Sequence, residues 1–503
     1  MPAILLVVVA SALLHALAFA PWHLWPLAWC ALAPFLWVVG RSTPARGVLA
    51  GLVWGSVAIW GVGGWVAPAI AVYYEQPLWF GIAFCVVGCM LLWGLPAALF
   101  GGVASWFAAR TAPPLRPVLL AALWVCSEFL RARLVTGEPW MQLGYALTDV
   151  PLLMQAADLG SVPLLSFVLA LVNASLVELV RPRGRSLVVL LGAPLLATGA
   201  LLVYGGWRLA TPFESRQPVA IAVVQGNNAL RTQWRREFYG DTLERYVTLS
   251  RGAAARRPRL LVWPESAVTF FLGEEPAYRS HIGRLLEGLD AQLVVGGPER
   301  HRDADGWRHL NSAFLMDRAG GVLARYDKER LLPFAEFFPL RFLAFLRRRF
   351  EQVRNFAPGD GQALLPTPAG RAAVVICFEA IFPELVRERM GRGAEILLNL
   401  SNDIWLGPRA GPEQHFQMVV LRAVESRTWV VRATTTGVSA VIDPHGRVRR
   451  RAPRGEPAVL TDDVGPVAVE TVYERVGDVF AWACMAGVLA AAAVLAARPR
   501  DAA

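Results

Sequence analysis

The sequence predicts a multi-span α-helical membrane domain of about eight transmembrane helices joined to a polar α/β domain. Three observations support this. The 503-residue chain is 55% hydrophobic and only 17% charged, with a mean hydropathy of +0.42, which is too apolar for a wholly soluble protein. Its apolar residues gather in eight runs, each near the ~20 residues that cross a hydrocarbon core. Between the seventh and eighth runs, residues 217–465 alternate short β-rich segments with amphipathic helical patterns.

The first run, residues 3–20, has no charged leader, so it reads as a transmembrane helix rather than a cleaved signal. The others lie at 24–40, 47–67, 78–108, 115–130, 159–180, 187–206 and 479–497. The long 78–108 run is expected to tilt or to turn at Gly94-Leu95-Pro96. Basic residues alternate between loops. Arg41 and Arg46, Arg110 and Arg116, Arg181, Arg183 and Arg185, and Arg498 and Arg500 fall on one side, whereas Tyr73-Tyr74-Glu75-Gln76-Pro77 carries no positive charge. The positive-inside rule then makes both termini cytoplasmic and puts the polar domain outside. Arg131 and Arg133 run against this pattern, and an interfacial dip over 134–158 would accommodate them. The expected division is a membrane domain over 1–210 with seven helices, an extracytoplasmic domain over 217–465, and a C-terminal helix and tail over 477–503.

In the polar domain the strand candidates are Val219–Gln225, Arg259–Trp263, Gln292–Gly296, Ser312–Met316, Val322–Asp327, Ala372–Cys377, Ile396–Leu400 and Val430–Asp443. Helices are expected over Gly240–Ala255, Tyr278–Leu289, Pro383–Met390 and Glu413–Arg427. This length suits one layered unit of sheets covered by helices. The net charge of +10 does not point to nucleic acid, because the arginines cluster between apolar runs instead of forming a basic face with exposed aromatics.

Of the six cysteines, Cys30, Cys85, Cys89, Cys126 and Cys484 fall in apolar runs, where a thiol is a small hydrophobe. Cys377 is alone in the polar half, at the end of a buried-type strand, with no disulfide partner in that domain. It is a nucleophile candidate, with a buried structural cysteine as the commoner alternative. A cysteine attacks as thiolate and needs a lowered pKa or a base. His281, His301, His309, His415 and His445 have no spacing that implies a Cys–His pair. Glu265, exposed behind the strand-ending Pro264, is the alternative base. Lys328 follows another strand, where its ammonium could stabilise a thiolate or an oxyanion. Each of these charges taken alone is commonly just solvated.

Trp263-Pro264-Glu265, Tyr326-Asp327-Lys328 with Pro333-Phe334-Ala335-Glu336, and Ile376-Cys377-Phe378-Glu379, in that order, resemble the nitrilase superfamily of carbon–nitrogen hydrolases. The seven apolar runs before this domain and the one after it narrow the match, and the whole chain resembles the apolipoprotein N-acyltransferase family of bacterial inner membranes. Further matching stretches are Val224-Gln225-Gly226-Asn227, Leu310-Asn311-Ser312, Ser401–Gly407 and Gly411–Met418. Two positions depart from the family pattern. Phe378 stands where Tyr is common, and Thr436 stands where Asn often precedes the glycine.

The resemblance implies an α-β-β-α sandwich with a Glu265–Lys328–Cys377 triad. It also implies an acyl chain carried from a phospholipid, through a Cys377 thioester, to the N-terminal amine of a diacylglyceryl-cysteine lipoprotein. Glu336 and Glu379 resemble additional pocket carboxylates that orient Lys328 or the amine, and for Glu379 a charge satisfied by a helix N-terminus is an equal alternative. Trp234 and Trp405 match aromatic positions of the family's site, beside Phe378. Phe270-Phe271-Leu272, Trp234 and Trp405-Leu406 are loop-like apolar residues expected to line the acyl-chain entrance. The segment 339–350 is expected to lie on an anionic membrane surface, with a core helix ending in solvated arginines as the alternative. No cofactor, metal or nucleic acid is expected, and a monomer is. A membrane-anchored amidase with water as acceptor is the competing enzyme. A transporter is disfavoured, because Glu128 is the main ionisable residue seen within spans two to seven.

Overall fold

The computed structural model describes residues 2–134, 137–180, 187–229, 235–303, 306–340, 344–350, 355–361 and 363–497. The chain separates into two compact units. One comprises Met1–Ala71, Pro77–Thr211 and Arg475–Ala503, the other Val72–Gln76 and Pro212–Glu474.

The first unit is helical, and each of the eight apolar runs carries helix. Among the described residues four helices are long and apolar enough to cross a membrane: Pro44–Gly63, Leu78–Arg110, Ala157–Leu179 and Val479–Ala497. Pro2–Leu17 and Trp25–Val39 are shorter apolar helices. Leu78–Arg110 stays helical through Gly94-Leu95-Pro96 by a π-type turn over Met90–Gly94. Pro44–Gly63 starts with Thr43 as N-cap and Pro44 in the first turn. Its Gly47, Gly51 and Gly55 recur every four residues and meet Gly101, Ala97 and Trp93 of the neighbouring helix backbone to backbone. Small residues at that spacing let apolar helices approach where hydrophobic driving force is absent.

Ionisable residues within this unit go beyond Glu128, which corrects the sequence reading. Arg116 donates to both oxygens of Glu178 at 2.8 and 3.0 Å. Arg208 Nε donates to Asp158 at 2.7 Å, and Arg131 pairs with Glu138. Glu178 and Asp158 are buried against arginines 62 and 50 residues away, and Glu138 is partly buried against Arg131 seven residues before it. Such pairs neutralise the charge locally, which lowers the cost of placing it in an apolar helical unit. The 134–158 segment enters this packing: Leu143–Thr148 of a 3₁₀ turn are all buried. Arg181, Arg183, Arg185, Arg498 and Arg500, used for orientation, lie outside the described residues.

The second unit is built on twelve strands: β1 Val219–Gln225, β2 Leu260–Val262, β3 Gln292–Asp303, β4 Gly306–Met316, β5 Val322–Asp327, β6 Leu365–Thr367, β7 Gly370–Ile376, β8 Ile396–Ser401, β9 Val430–Thr434, β10 Ala440–Ile442, β11 Val448–Arg451 and β12 Ala458–Val464. They form two six-stranded sheets, β12-β1-β2-β3-β4-β5 and β11-β10-β9-β8-β7-β6. The centre of each sheet is parallel, β1-β2-β3 in one and β7-β8-β9 in the other. Alternation along the strands explains the layering. Ile221, Val223, Leu260 and Val262 face Ala372, Val374, Ile376, Leu398 and Val431 between the sheets. Ala222, Val224, Leu261 and Trp263 point outward. They pack under helices Tyr239–Arg251 and Pro276–Leu289, while Pro383–Gly391 and Ala410–Ser426 cover the second sheet.

The expected helices are present within a few residues. The expected Val430–Asp443 strand is instead the hairpin β9–β10, turning at Thr435-Thr436-Gly437-Val438. Strands β6, β11 and β12 were not anticipated. β11 is a fully exposed Val-Arg-Arg-Arg edge with no apolar alternation, and β12 carries Asp462 and Asp463. Phe270 and Leu272 are core residues of the helix-covered face, not an entrance, which leaves only Phe271 partly exposed. In the segment 339–350, residues 341–343 lie outside the description. Phe350 is buried against Phe334, Phe338 and Tyr74 at ring distances of 5.3, 6.0 and 4.8 Å, so this end follows the core alternative.

Candidate active site

Three strand ends converge. Glu265 follows β2 through Trp263-Pro264, Lys328 follows β5, and Cys377 follows β7. The glycine at 296 on neighbouring β3 is required by close approach, since a Cβ there would lie 2.6 Å from Glu265 Cα.

All three side chains are buried. Lys328 Nζ lies 2.7 Å from Glu336 Oε2 and 3.9 Å from Glu265 Oε1. Asn311 Nδ2 donates to both carboxylates, 2.8 Å to Glu265 Oε1 and 2.7 Å to Glu336 Oε1. The second oxygen of Glu265 accepts the Asn402 backbone N–H at 2.7 Å, and Leu332 N–H donates to Glu336 Oε2 at 2.8 Å. Glu336 is thus the nearer of the two carboxylates paired with Lys328.

Glu379 does something else. Its Oε1 accepts from Tyr326 OH at 2.7 Å and from the backbone N–H groups of Glu329 and Arg330 at 2.8 and 3.1 Å. Its Oε2 accepts Ile376 N–H at 2.7 Å, and the Arg389 guanidinium lies 3.6 Å away. It is a wholly buried anchor that ties the residue before Cys377 to the residues after Lys328, satisfied by turn amides and Arg389 and making no hydrogen bond to the lysine side chain.

The electrostatics follow from burial. Desolvation pushes the Cys377 thiol well above its usual range, reinforced by the Glu265 charge and opposed by Lys328. Desolvation also raises Glu265, with Lys328 pulling it down and Glu336 pushing it up. For Lys328, burial favours the neutral amine, but Glu336 and Glu265 outweigh it and hold the ammonium above the ordinary lysine value. A protonated thiol, a carboxylate of raised basicity and a fixed ammonium together suit base-assisted nucleophilic attack at a carbonyl.

Cys377 adopts φ +51°, a left-handed conformation that a non-glycine residue holds only where its surroundings impose it. Phe378, partly exposed, stacks edge-on against Phe382 at 5.0 Å. Trp405 is half-buried on the turn that begins with Asn402. Trp234 lies outside the described residues. Asn311, the Asn402 amide and His415 were not among the expected site residues, although each sits in a stretch noted for its resemblance. Among the described residues, no three His, Cys, Asp or Glu side chains converge to hold a metal ion.

Two family models match the chain: the apolipoprotein N-acyltransferase N-terminal domain over residues 11–175, and carbon-nitrogen hydrolase over 220–473. An apolipoprotein N-acyltransferase of Geobacter metallireducens is 38% identical over 501 residues, covering 97% of this chain and 94% of that protein. The Pseudomonas aeruginosa protein of the same name is 34% identical over 502 residues, covering 96% and 94%. Among solved structures, a Nesterenkonia AN1 amidase of the nitrilase superfamily shares 21% identity over 53% of this chain and 95% of that one, with a TM-score of 0.39.

Proposed function

We infer the function from one premise: the chain belongs to the apolipoprotein N-acyltransferase family. It is an acyltransferase with a nitrilase-like carbon–nitrogen hydrolase domain. On this reading it acylates the N-terminal amine of a diacylglyceryl-cysteine lipoprotein, with a membrane phospholipid as donor and a Cys377 thioester between the two. The observation that carries the reading is the buried ammonium of Lys328, set 2.7 Å from Glu336 and 3.9 Å from Glu265 at the strand ends where Cys377 lies.

In the first half-reaction Glu265 takes the Cys377 proton while sulfur attacks the ester carbonyl of the phospholipid. Lys328 faces the oxyanion. As the intermediate collapses, the carbon–oxygen bond breaks and Glu265 returns the proton to the departing glycerol oxygen, leaving a thioester and a lysophospholipid. In the second half-reaction the neutral α-amine attacks the thioester and its proton passes to Glu265. The carbon–sulfur bond breaks, and the proton restores the Cys377 thiol. An ester donor alone acylates an amine poorly, and a thioester is the better donor, which suits a cysteine and ping-pong kinetics.

The same reading takes residues 1–210 as a seven-helix membrane domain, 217–465 as the catalytic domain and 477–503 as the eighth helix with its tail. The enzyme is then a monomer in the bacterial inner membrane, with both termini cytoplasmic and catalysis on the periplasmic side, as the basic-loop pattern supports.

Intact-mass measurement tests it. Purified protein given phospholipid alone should gain one acyl mass and release lysophospholipid. Cys377→Ser should lose or greatly weaken that thioester, and Cys377→Ala should not modify a diacylated lipoprotein. Hydrolysis of an amide without adduct or lysophospholipid would instead favour the water-using amidase.

A further inference from the structure

His415 lies on helix Ala410–Ser426 and is buried. Its Nε2 stands 3.1 Å from the carbonyl oxygen of Cys377. Its Nδ1 stands 3.0 Å from Asp403 Oδ1 and 3.3 Å from Arg432 Nη2. Asp403 is held in turn by Arg432 Nη2 at 2.6 Å and by Ser401 Oγ at 2.6 Å. The line Arg432–Asp403–His415–Cys377 thus runs from β9, through the turn after β8, to the end of β7. Asn402, next to Asp403, gives its N–H to Glu265 Oε2 at 2.7 Å. One three-residue turn, Ser401-Asn402-Asp403, therefore reaches the base by its backbone and the nucleophile through His415.

We propose that His415 is a positioning residue: by donating from Nε2 to the Cys377 carbonyl it keeps the nucleophile in its left-handed conformation and in fixed register with Glu265. This rests on the acyl-transfer reading above. A carbonyl oxygen only accepts, so Nε2 must carry a proton. Burial and Arg432 pull the imidazole toward its neutral form, against Asp403. The imidazolium donates from both nitrogens, to the Cys377 carbonyl and to Asp403; the neutral ring makes the carbonyl contact as the Nε2–H tautomer, with Nδ1 accepting from Arg432 Nη2 at 3.3 Å. Cys377 at φ +51° is one of thirteen non-glycine residues with positive φ among the described residues, and such a residue stays there when neighbouring groups determine it. On the far side, Glu379 fixes the Ile376 N–H. His415 supplies the matching constraint on the carbonyl of Cys377 itself. A misplacement of about 1 Å at a reacting atom costs up to roughly 100-fold in rate.

The test is pre-steady-state thioester formation in the full-length protein with phospholipid, followed by intact mass. His415→Leu should lower the acylation rate constant by roughly 10- to 100-fold, with the phospholipid KM unchanged. A merely structural defect would lower the burst amplitude, which counts folded enzyme, and leave the rate constant alone. His415→Gln places an amide nitrogen near the Nε2 position and should recover most of the rate. His415→Asn, too short to reach, should not. If His415→Leu yields too little folded protein, the Gln–Asn pair decides. Equal rate constants for wild type, Leu and Asn variants, or a loss confined to burst amplitude, overturn the role of His415. Absence of any adduct in the wild type overturns the acyl-transfer reading instead.

Discussion

The backbone N–H of Glu329 donates to Glu379 Oε1 at 2.8 Å, a contact across 50 residues of sequence that joins the lysine strand to the cysteine turn. Through it, and through the Ile376 N–H at 2.7 Å on the other oxygen, one carboxylate fixes the spacing between Lys328 and Cys377. Replacing Glu379 by Gln turns an acceptor-only group into one that presents N–H to donors and takes from the buried Arg389 the more deeply buried of its two carboxylate partners, leaving Glu329 at 3.5 Å. Breaking a buried pair from one side costs about 3–5 kcal/mol. Glu379→Gln is therefore expected to lower the thermal midpoint by several degrees and to abolish most acylation. A variant that unfolds at the wild-type temperature would remove the anchor role.

On the acyl-transfer reading, burial and then Glu336 raise the acid limb of the pH–rate profile, against Lys328. Glu265 works as a base only when ionised, and its folded-state pKa is raised by burial and further by the Glu336 charge, against the pull of Lys328. Activity should be lost as pH falls through that raised value, on a limb lying above the ordinary carboxylate range. Glu336→Gln removes a like charge, so the limb should move to lower pH. The same change deprives Lys328 of its 2.7 Å partner and should reduce the maximal rate by roughly 10- to 100-fold, the range for a lost charge-assisted hydrogen bond. Stopped-time acylation from pH 4 to pH 9, on the order of the span between carboxylate and amine titration, checks both. An acid limb that stays in place would exclude the coupling.

Local pattern was enough for some of this and could not reach the rest. Cys377 stood out because its thiol ends an apolar run inside the polar half of the chain. Glu265 and Lys328 emerged only when three strand ends were taken together with a family resemblance, since each alone resembles a solvated loop charge. Asn311, the Asn402 amide and His415 depend on tertiary register. Their contacts to Glu265 and Cys377 span 46, 137 and 38 residues, which no periodicity encodes. Phe270 and Leu272 misled because loop-like apolar residues belong equally to an entrance or to a helix-covered face. Glu178 went unnoticed inside an apolar run because its partner, Arg116, lies 62 residues away.

Helix packing in the first unit is as exposed to test as the catalytic residues. A Cβ at Gly51 would lie 2.0 Å from the carbonyl oxygen of Ala97, a backbone atom that cannot swing aside, whereas one at Gly88 would meet nothing within 4 Å. Both glycines sit in helices, so helix propensity favours alanine equally at each, by about 1 kcal/mol. The difference between the two sites is then steric. Gly51→Ala is expected to destabilise by about 1–3 kcal/mol or more, the usual cost of overpacking. Gly88→Ala should leave stability equal or slightly higher. Thermal unfolding in detergent compares them directly. Tolerance of Ala at 51 would mean that Pro44–Gly63 and Leu95–Arg110 do not meet through their backbones.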